Sequence, residues 1–171
     1  MKVKIIEREV LNPLAEVDAL KVHVNFVPDN IDVLSLVDNT KPNADLILDL
    51  VSKDIENTTS IKIRKPTGAP ATDKQIKQAK TNLSILALGD CGSCTTWLIL
   101  DAIKLEKQGT PTISICSNIF APFARQLAES YGASQLRIVE VEHPIAGQSK
   151  EIIRNKTEKT INQIKNIILK R

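Results

Sequence analysis

Two of the three cysteines in this 171-residue chain, Cys91 and Cys94, stand three positions apart in the stretch GDCGSC. An apolar run passes into a helical pattern here, so both thiols are expected in the first turn of a helix and on roughly one face. Backbone N–H groups and the dipole at a helix start stabilise a thiolate and lower its pKa. The spacing therefore predicts thiol chemistry, with one cysteine as nucleophile and the other able to form a disulfide with it. Ser93 or Asp90 is expected to cap the helix.

Two other interpretations of the cysteine pair stay open at this point. A zinc site needs further ligands, and the candidates Cys116, His143 and His23 occur singly rather than as a second close pair. A catalytic zinc with three protein ligands would still be consistent with that count. In the third interpretation, two small residues merely fill space between a strand and a helix. Thiol chemistry is the lead hypothesis, and no metal ligand is assigned.

Polar residues that would surround the thiols also follow short apolar runs. The segment DNTKPNA supplies Asp38, Asn39 and Lys41 as candidate ligands for a polar or anionic substrate, and Asn43 is expected to cap the next helix. His143 is a candidate acid, base or thiolate partner. The candidate substrate-binding residues are Asp38, Asn39, Lys41, Asp90, Thr95, Cys116 and His143.

The elements that must position these residues alternate along the chain. From about residue 31, short β-branched runs alternate with longer helical patterns, which predicts successive βα units and a mainly parallel sheet. Runs such as LSILAL and ISIC are almost continuously apolar, as in strands covered by helices on both faces. We predict a three-layer α/β/α sandwich, flavodoxin-like or Rossmann-like. The predicted strands are 33–37, 60–65, 83–88, 111–116 and 136–141, and the predicted helices are 43–53, 73–81, 93–108, 120–131 and 149–169.

The candidate residues share one edge of this predicted sheet. In open α/β sheets, ligands bind outside the carboxyl ends of the strands. Asp38, Cys91 and His143 each follow a predicted strand, and Cys116 ends another. The segment RKPTGAPAT, residues 64–72, follows Ile63 of the second strand and is expected to be a mobile or extended segment over the site, with a simple connector favoured over a lid. The arrangement predicts one composite site.

Composition and charge exclude several classes of function. The formal net charge is +3 with the signs interspersed, and aromatic residues make up 3% of the chain. Neither value supports a nucleic-acid footprint or a base-stacking platform. Charges recur every few positions at the amino terminus, so we expect no signal peptide, no membrane span and a cytoplasmic protein. We expect one α/β domain over residues 1–171, with 1–30 as an N-terminal arm or edge hairpin and 149–171 as a C-terminal helix.

The stretch GDCGSCTTWLILDAIKLEKQGTPTISICS resembles the UGSC family, whose motif is selenocysteine or cysteine followed by Gly-Ser-Cys. Cys91 takes the selenocysteine position and Cys94 the position of the final cysteine. The segments VDNTKPNADLIL and HPIAG are also similar to parts of that family, so the resemblance covers residues 33–147. More distantly, the stretch is similar to the selenoprotein B subunits of glycine, sarcosine and betaine reductases and to the proline reductase subunit. Thr96 and Trp97 depart from those reductases, which tend to carry an arginine and a cysteine there.

The resemblance implies that Cys91 attacks an activated carbon or sulfur atom and that Cys94 resolves the adduct or disulfide. We therefore expect a thiol-dependent redox or reductive-cleavage enzyme that acts on a small-molecule substrate without a cofactor. The expected protein partners are a partner subunit, a thiol electron donor or a second copy of the chain. A non-catalytic module that binds a small ligand or a metal is one alternative. A racemase-like enzyme with Cys91 and Cys116 as opposed acid and base is another.

Overall fold

A computed structural model of the chain describes residues 21–169, in which strands and helices alternate. The elements in chain order are β1 (Val33–Asp38), α1 (Ala44–Lys53), β2 (Thr59–Arg64), α2 (Asp73–Gln78), β3 (Leu83–Gly89), α3 (Gly92–Glu106), β4 (Thr112–Ser117), α4 (Ala121–Ser130), β5 (Arg137–Val141) and α5 (Lys150–Leu169). Each strand agrees with its prediction to within one residue at either end.

The strands form a single parallel sheet in the order β2-β1-β3-β4-β5. Helices α1 and α5 pack together on one face of the sheet, and α2, α3 and α4 pack on the other. This is the predicted three-layer α/β/α sandwich, with the strand order typical of flavodoxin-like folds. The fold-class prediction is confirmed.

The burial pattern of the strands follows their place in the sheet. All seven residues of the central strand β3 are buried, which explains its continuous apolar run. Along β1, Leu36 packs toward α1 while Val37 packs toward α3, so each face of the sheet has its own apolar core. Strand β2 lies at an edge and is exposed along most of its length. Polar Ser60 and Lys62 on this edge disfavour pairing with another chain.

The described part of the predicted arm or hairpin, residues 21–30, contains no strand. The Val22 N–H donates to the Gly132 carbonyl at 2.8 Å, and the Asn25 amide nitrogen donates to the Glu106 carboxylate at 2.7 Å. The segment therefore runs as an arm beside the helical layer of α3 and α4. Residues 1–20 of that prediction lie outside the described residues.

Helix α1 begins differently from the prediction. Asn43 occupies the N-cap position, but its side chain caps nothing, because its backbone is left-handed with a φ of 65°. The Asn43 amide nitrogen instead donates to the Ile145 carbonyl at 2.9 Å. Asn43 therefore joins the loop after β1 to the loop after β5. The capping prediction is wrong, and the residue serves to bring two loops of the site together.

Candidate functional site

The strand order reverses between β1 and β3, because β2 lies on one side of β1 and the later strands on the other. Such a switch point opens a crevice at the carboxyl ends of the strands, where ligands bind in this class of fold. The loop after β1 carries Lys41, and the loop after β3 carries Cys91. The Lys41 ammonium interacts with both Cys91 and Cys94. The structure thus brings these three predicted site residues together at the switch point.

Asn39 joins the two strands that border this crevice. Its side-chain amide donates to the Leu88 carbonyl at 2.9 Å and accepts from the Leu88 N–H at 2.8 Å. The Asn39 side chain is buried, and both of its polar atoms are used on the backbone of β3. The sequence predicts Asn39 as a substrate ligand. In the structure its side chain instead fixes the carboxyl end of β3, the strand that leads into Cys91.

Asp38 faces the edge strand rather than the thiols. Its carboxylate accepts from the Thr40 N–H at 2.7 Å and from Arg64 Nε at 3.2 Å. The adjoining groove, of about 210 Å³, is lined in part by Asp38, Asp45, Lys62 and Arg64 and contains neither cysteine of the pair. The structure does not bring Asp38 to the thiols.

Cys91 is itself the N-cap of α3, in place of the predicted Ser93 or Asp90. Its backbone is extended, with a φ of −165° and a ψ of 167°, and its Sγ accepts a hydrogen bond from the Cys94 N–H at 3.4 Å. Ser93 Oγ lies 3.7 Å from Cys91 Sγ. A sulfur atom at an N-cap receives the free N–H groups and the positive end of the helix dipole, both of which favour the thiolate.

The pKa of the Cys91 thiol is lowered from its ordinary value. Partial burial acts in the opposite direction, but hydrogen bonds from the Cys94 thiol and backbone, the Ser93 hydroxyl and the Lys41 ammonium outweigh it. The same contacts raise the pKa of Lys41, because the attraction of Cys94 and Cys91 exceeds the effect of burial. Cys91 is therefore the thiol of the pair that ionises more readily, and Lys41 is the cation that favours its ionised form.

Cys94 has the opposite environment, although it is one helical turn away. Burial raises its pKa first, and the hydrogen bond it donates to Cys91 and the charge on Cys91 raise it further. Cys94 is almost completely buried, whereas Cys91 is half-buried. The structure therefore distinguishes an accessible thiol with a lowered pKa from a buried thiol with a raised pKa, an asymmetry that spacing alone does not give.

A carboxylate–imidazole pair is formed by the residue that precedes Cys91 and by a residue of the loop after β5. Asp90 Oδ1 lies 3.0 Å from His143 Nδ1, and Asp90 directly precedes Cys91. The Asp90 side chain is nearly buried, while the His143 ring is about one-third exposed. Asn118 accepts from the His143 backbone N–H at 3.0 Å and so fixes the loop after β5. If Nδ1 carries the proton, it donates to Asp90 and leaves Nε2 free to accept one.

Cys116 and Thr95 lie behind the crevice, not in it. Both side chains are fully buried, and a Cβ built on Gly89 would come within 2.6 Å of Cys116 Sγ and 3.1 Å of Thr95 Oγ1. Burial raises the pKa of Cys116 to about 12. Neither side chain is open to a substrate in this structure, so their predicted role as ligands does not match their position. The same burial removes the geometric basis of the racemase-like alternative with Cys91.

The structure also gives roles to residues that the sequence analysis missed. Asn118 follows β4, so the strand-end rule would have found it. Asp101 is a lone acid in the apolar run WLILDAIKL, which is a signal of a buried charge with a partner. His23, named above as a zinc candidate, lines a groove with Gln135 and Arg137 at the start of β5, the opposite edge of the sheet.

Residues 21–169 lack two features, a metal-binding cluster and a membrane-spanning helix. No group of three or more His, Cys, Asp or Glu side chains with a geometry able to hold a metal ion occurs in that range. Within the same range, no helix is both long enough and apolar enough to cross a membrane.

Comparisons with known proteins identify the family. No curated protein matches the sequence. A solved structure titled "Streptococcus pneumonia TIGR4 flavodoxin: structural and biophysical characterization of a novel drug target" is similar to this chain with 11% identity and a TM-score of 0.46, over 83% of this chain and 100% of that chain. The profile of the UGSC family matches residues 9–170. The match spans nearly the whole sequence, including both cysteines of the pair, and the chain therefore belongs to the UGSC family.

Proposed function

We propose that this protein is a thiol-dependent reductase in which Cys91 attacks a sulfur atom of a small polar substrate and Cys94 completes the cleavage. The observation that carries the proposal is the N-cap position of Cys91 Sγ, which accepts from the Cys94 N–H at 3.4 Å. A thiolate is the nucleophilic form of cysteine, and the helix start and Lys41 both favour it.

The proposed reaction is a two-step thiol–disulfide exchange. In the first step, Cys91 Sγ attacks one sulfur of a substrate disulfide, a Cys91–sulfur bond forms, and the other half of the substrate leaves as a thiolate. In the second step, Cys94 loses its proton and attacks Cys91 Sγ, which releases the remaining half and forms the Cys91–Cys94 disulfide. The substrate gains two electrons, and the cysteine pair loses them. An external thiol reductant then restores the pair.

The surrounding residues divide the remaining tasks. In the proposed reaction, Lys41 neutralises the charge at the sulfur atoms and attracts an anionic group of the substrate. His143, oriented by Asp90 at 3.0 Å, accepts the proton that Cys94 loses and passes it to a leaving thiolate. In this scheme Cys94 stays protonated at first, because burial and the charge on Cys91 raise its pKa. Formation of the mixed disulfide removes the charge on Cys91 and so makes Cys94 easier to deprotonate.

Membership of the UGSC family supports the asymmetry of the pair. The family motif accepts selenocysteine at the position of Cys91, and a selenol is ionised at neutral pH and leaves readily. A site that accepts either element is suited to a reactive anion, whereas a filler position has no need of one. The similarity to the selenoprotein B subunits of amino-acid reductases points toward reductive chemistry as well.

An aromatic disulfide whose thiol product is coloured tests the proposal. For the reduced protein we expect release of about two equivalents of the coloured thiol, because both steps are completed. Cys94→Ser should release about one equivalent and retain a mixed disulfide on Cys91 that mass spectrometry detects. Cys116→Ala serves as the matched control and should behave as the unaltered protein does, since this thiol lies outside the crevice.

Other outcomes would contradict the proposal. If Cys91→Ser still releases two equivalents, Cys91 is not the attacking group. If Cys94→Ser releases two equivalents at the same rate as the unaltered protein, Cys94 does not resolve the intermediate. A mixed disulfide found on Cys94 in the Cys91→Ser variant at an undiminished rate would reverse the assigned roles.

A further inference from the structure

A buried ion pair connects the loop after β2 to the helix that carries the thiols. Lys65 and Asp101 are each about 3% exposed, and Lys65 Nζ donates to Asp101 Oδ2. Asp101 lies in α3, two turns beyond Cys94 and on the same side of the helix. The pair therefore joins the residue that follows β2 to the helix whose first turn forms the site.

Asp101 also holds the other end of the same loop. Its two carboxylate oxygens accept from the Ala71 N–H at 3.0 and 3.1 Å. One carboxylate on α3 thus fixes both Lys65 at the start and Ala71 at the end of the seven-residue segment 65–71. We call this segment the 65–71 loop.

The middle of the 65–71 loop lies against the thiol site. Thr67 Oγ1 donates to the Asn39 carbonyl at 2.8 Å and lies 2.9 Å from Thr40 Oγ1. A Cβ built on Gly68 would be 3.7 Å from Ser93 Oγ, and Ser93 Oγ is 3.7 Å from Cys91 Sγ. The loop therefore forms one wall of the crevice, and only Ser93 lies between it and Cys91 Sγ.

Stability alone is a weak explanation for this ion pair. Burying a lysine and an aspartate has a desolvation penalty that their attraction repays only with good geometry, and apolar replacements are often equally stable. Breaking such a pair by removing one partner is strongly unfavourable, so the pair holds its elements in one arrangement. Here the elements held are α3 and the 65–71 loop.

We propose that the Lys65–Asp101 pair positions the 65–71 loop against the first turn of α3, and that this loop limits the size of the molecules that reach Cys91. Lys65 and Asp101 are positioning residues, because they act through the loop and do not touch the reacting sulfur. This inference rests on the proposed function, because it says that the 65–71 loop restricts the thiol chemistry of Cys91 to small substrates.

The test compares two alkylating reagents on Cys91 in a Cys94→Ser background. Iodoacetamide is the small reagent and fluorescein maleimide the bulky one. The alkylation rate of Cys91 with each reagent is followed by mass spectrometry of the Cys91 peptide. The double variant Lys65→Met with Asp101→Asn removes both charges and keeps an oxygen for the Ala71 N–H. Thr67→Val is a milder variant that removes the exposed hydroxyl contacts of the loop while keeping its shape. Lys104→Met is the matched control, because Lys104 lies on the same helix as Asp101 and forms an exposed ion pair with Asp73 of α2.

In the double variant we expect the rate with the bulky maleimide to rise about tenfold relative to the rate with iodoacetamide, because loop opening becomes easier. Thr67→Val should change the ratio in the same direction by a smaller factor, and Lys104→Met should leave it unchanged. An unchanged ratio in the folded double variant, or in Thr67→Val if the double variant does not fold, overturns the proposal.

The outcome also separates this inference from the proposed function. If iodoacetamide reacts with Cys91 no faster than with an ordinary thiol, the proposed function fails, while the ratio of the two reagents still reports on the loop. If Cys91 reacts fast but the ratio does not respond to the variants, only the role of Lys65 and Asp101 fails.

Discussion

Cys91 and Cys116 are two thiols at the same edge of one sheet, and their surroundings give them opposite properties. Cys91 follows β3, caps α3, is half-buried and has a lowered pKa. Cys116 is the penultimate residue of β4, is fully buried beneath Gly89 and has a pKa raised to about 12. A place at the carboxyl edge is therefore not sufficient for a reactive thiol. Cys91 differs from Cys116 in having a helix start, a nearby cation and contact with solvent, the features that favour thiolate formation in proteins.

The largest difference that follows from this comparison is in alkylation of the native protein. At neutral pH, iodoacetamide should modify Cys91 rapidly, while Cys116 should react at least about a thousandfold more slowly, because it is exposed only when the fold opens. Mass mapping of the peptides after timed alkylation gives both rates, and the same experiment in denaturant should make them similar. Comparable native rates would contradict the buried position of Cys116.

The close packing above Cys116 gives the next effect. Gly89→Ala places a methyl group 2.6 Å from Cys116 Sγ if nothing moves, so we expect a loss of about 1–3 kcal/mol in the free energy of unfolding. Adding Cys116→Ala should restore part of that loss, since the double variant removes the clashing sulfur. Urea unfolding of the two single variants and the double variant measures the coupling. If the loss of stability in the double variant equals the sum of the losses in the two single variants, position 89 does not contact Cys116 in the way the structure shows.

The raised pKa of Cys116 makes the stability depend on pH in the alkaline range. In the unfolded chain the thiol ionises near its ordinary pKa of about 8.5, whereas in the fold it stays neutral up to about 12. The stabilisation is therefore complete below about pH 8.5 and is lost as the pH rises toward 12. At pH 10 this thiol should lower the free energy of unfolding by about 2 kcal/mol. Cys116→Ala should remove that portion of the pH dependence, and an equal slope in both proteins would contradict the account.

The cation beside Cys91 has the smallest of these effects, because it is partly exposed. Lys41→Met should reduce the rate of Cys91 alkylation at pH 7 by about threefold to fivefold, as expected for an ion pair near solvent. Lys62→Met is the matched control. Lys62 lies on the edge strand β2, pairs with Asp49 of α1 and is separated from the thiols by β1. Raising the salt concentration should narrow the difference between Lys41→Met and the unaltered protein. Equal effects of the two lysine variants would show that Lys41 does not act on the thiol.

The sequence predicts the fold well because the central strands are nearly continuous apolar runs and short strand patterns alternate with helical ones along the chain. It also predicts that the edge of the sheet collects the polar residues, since that follows from parallel strands alone. The orientation of those residues could not be predicted. Asn39 and Lys41 are two positions apart in one loop, but Asn39 turns inward to Leu88 while Lys41 approaches the thiols.

The same limit applies to the helix caps and to the buried charges. Spacing predicts two thiols in one helical turn, but it does not show that Cys91 itself is the cap and that Cys94 is buried. These details depend on how α3 packs on β3. The pairing of Lys65 with Asp101 spans 36 positions of the chain and depends on the tertiary fold.

The most direct test of the central claim, that Cys91 is the thiolate of the site, is the pH dependence of its alkylation in the unaltered protein. We predict that the rate at Cys91, resolved from Cys94 by fragment mass spectrometry, rises with a midpoint clearly below the ordinary cysteine pKa of about 8.5. The midpoint at Cys94 should lie above it, because burial and the neighbouring Cys91 charge raise the pKa of that thiol. A midpoint for Cys91 at or above about 8.5 would contradict the account.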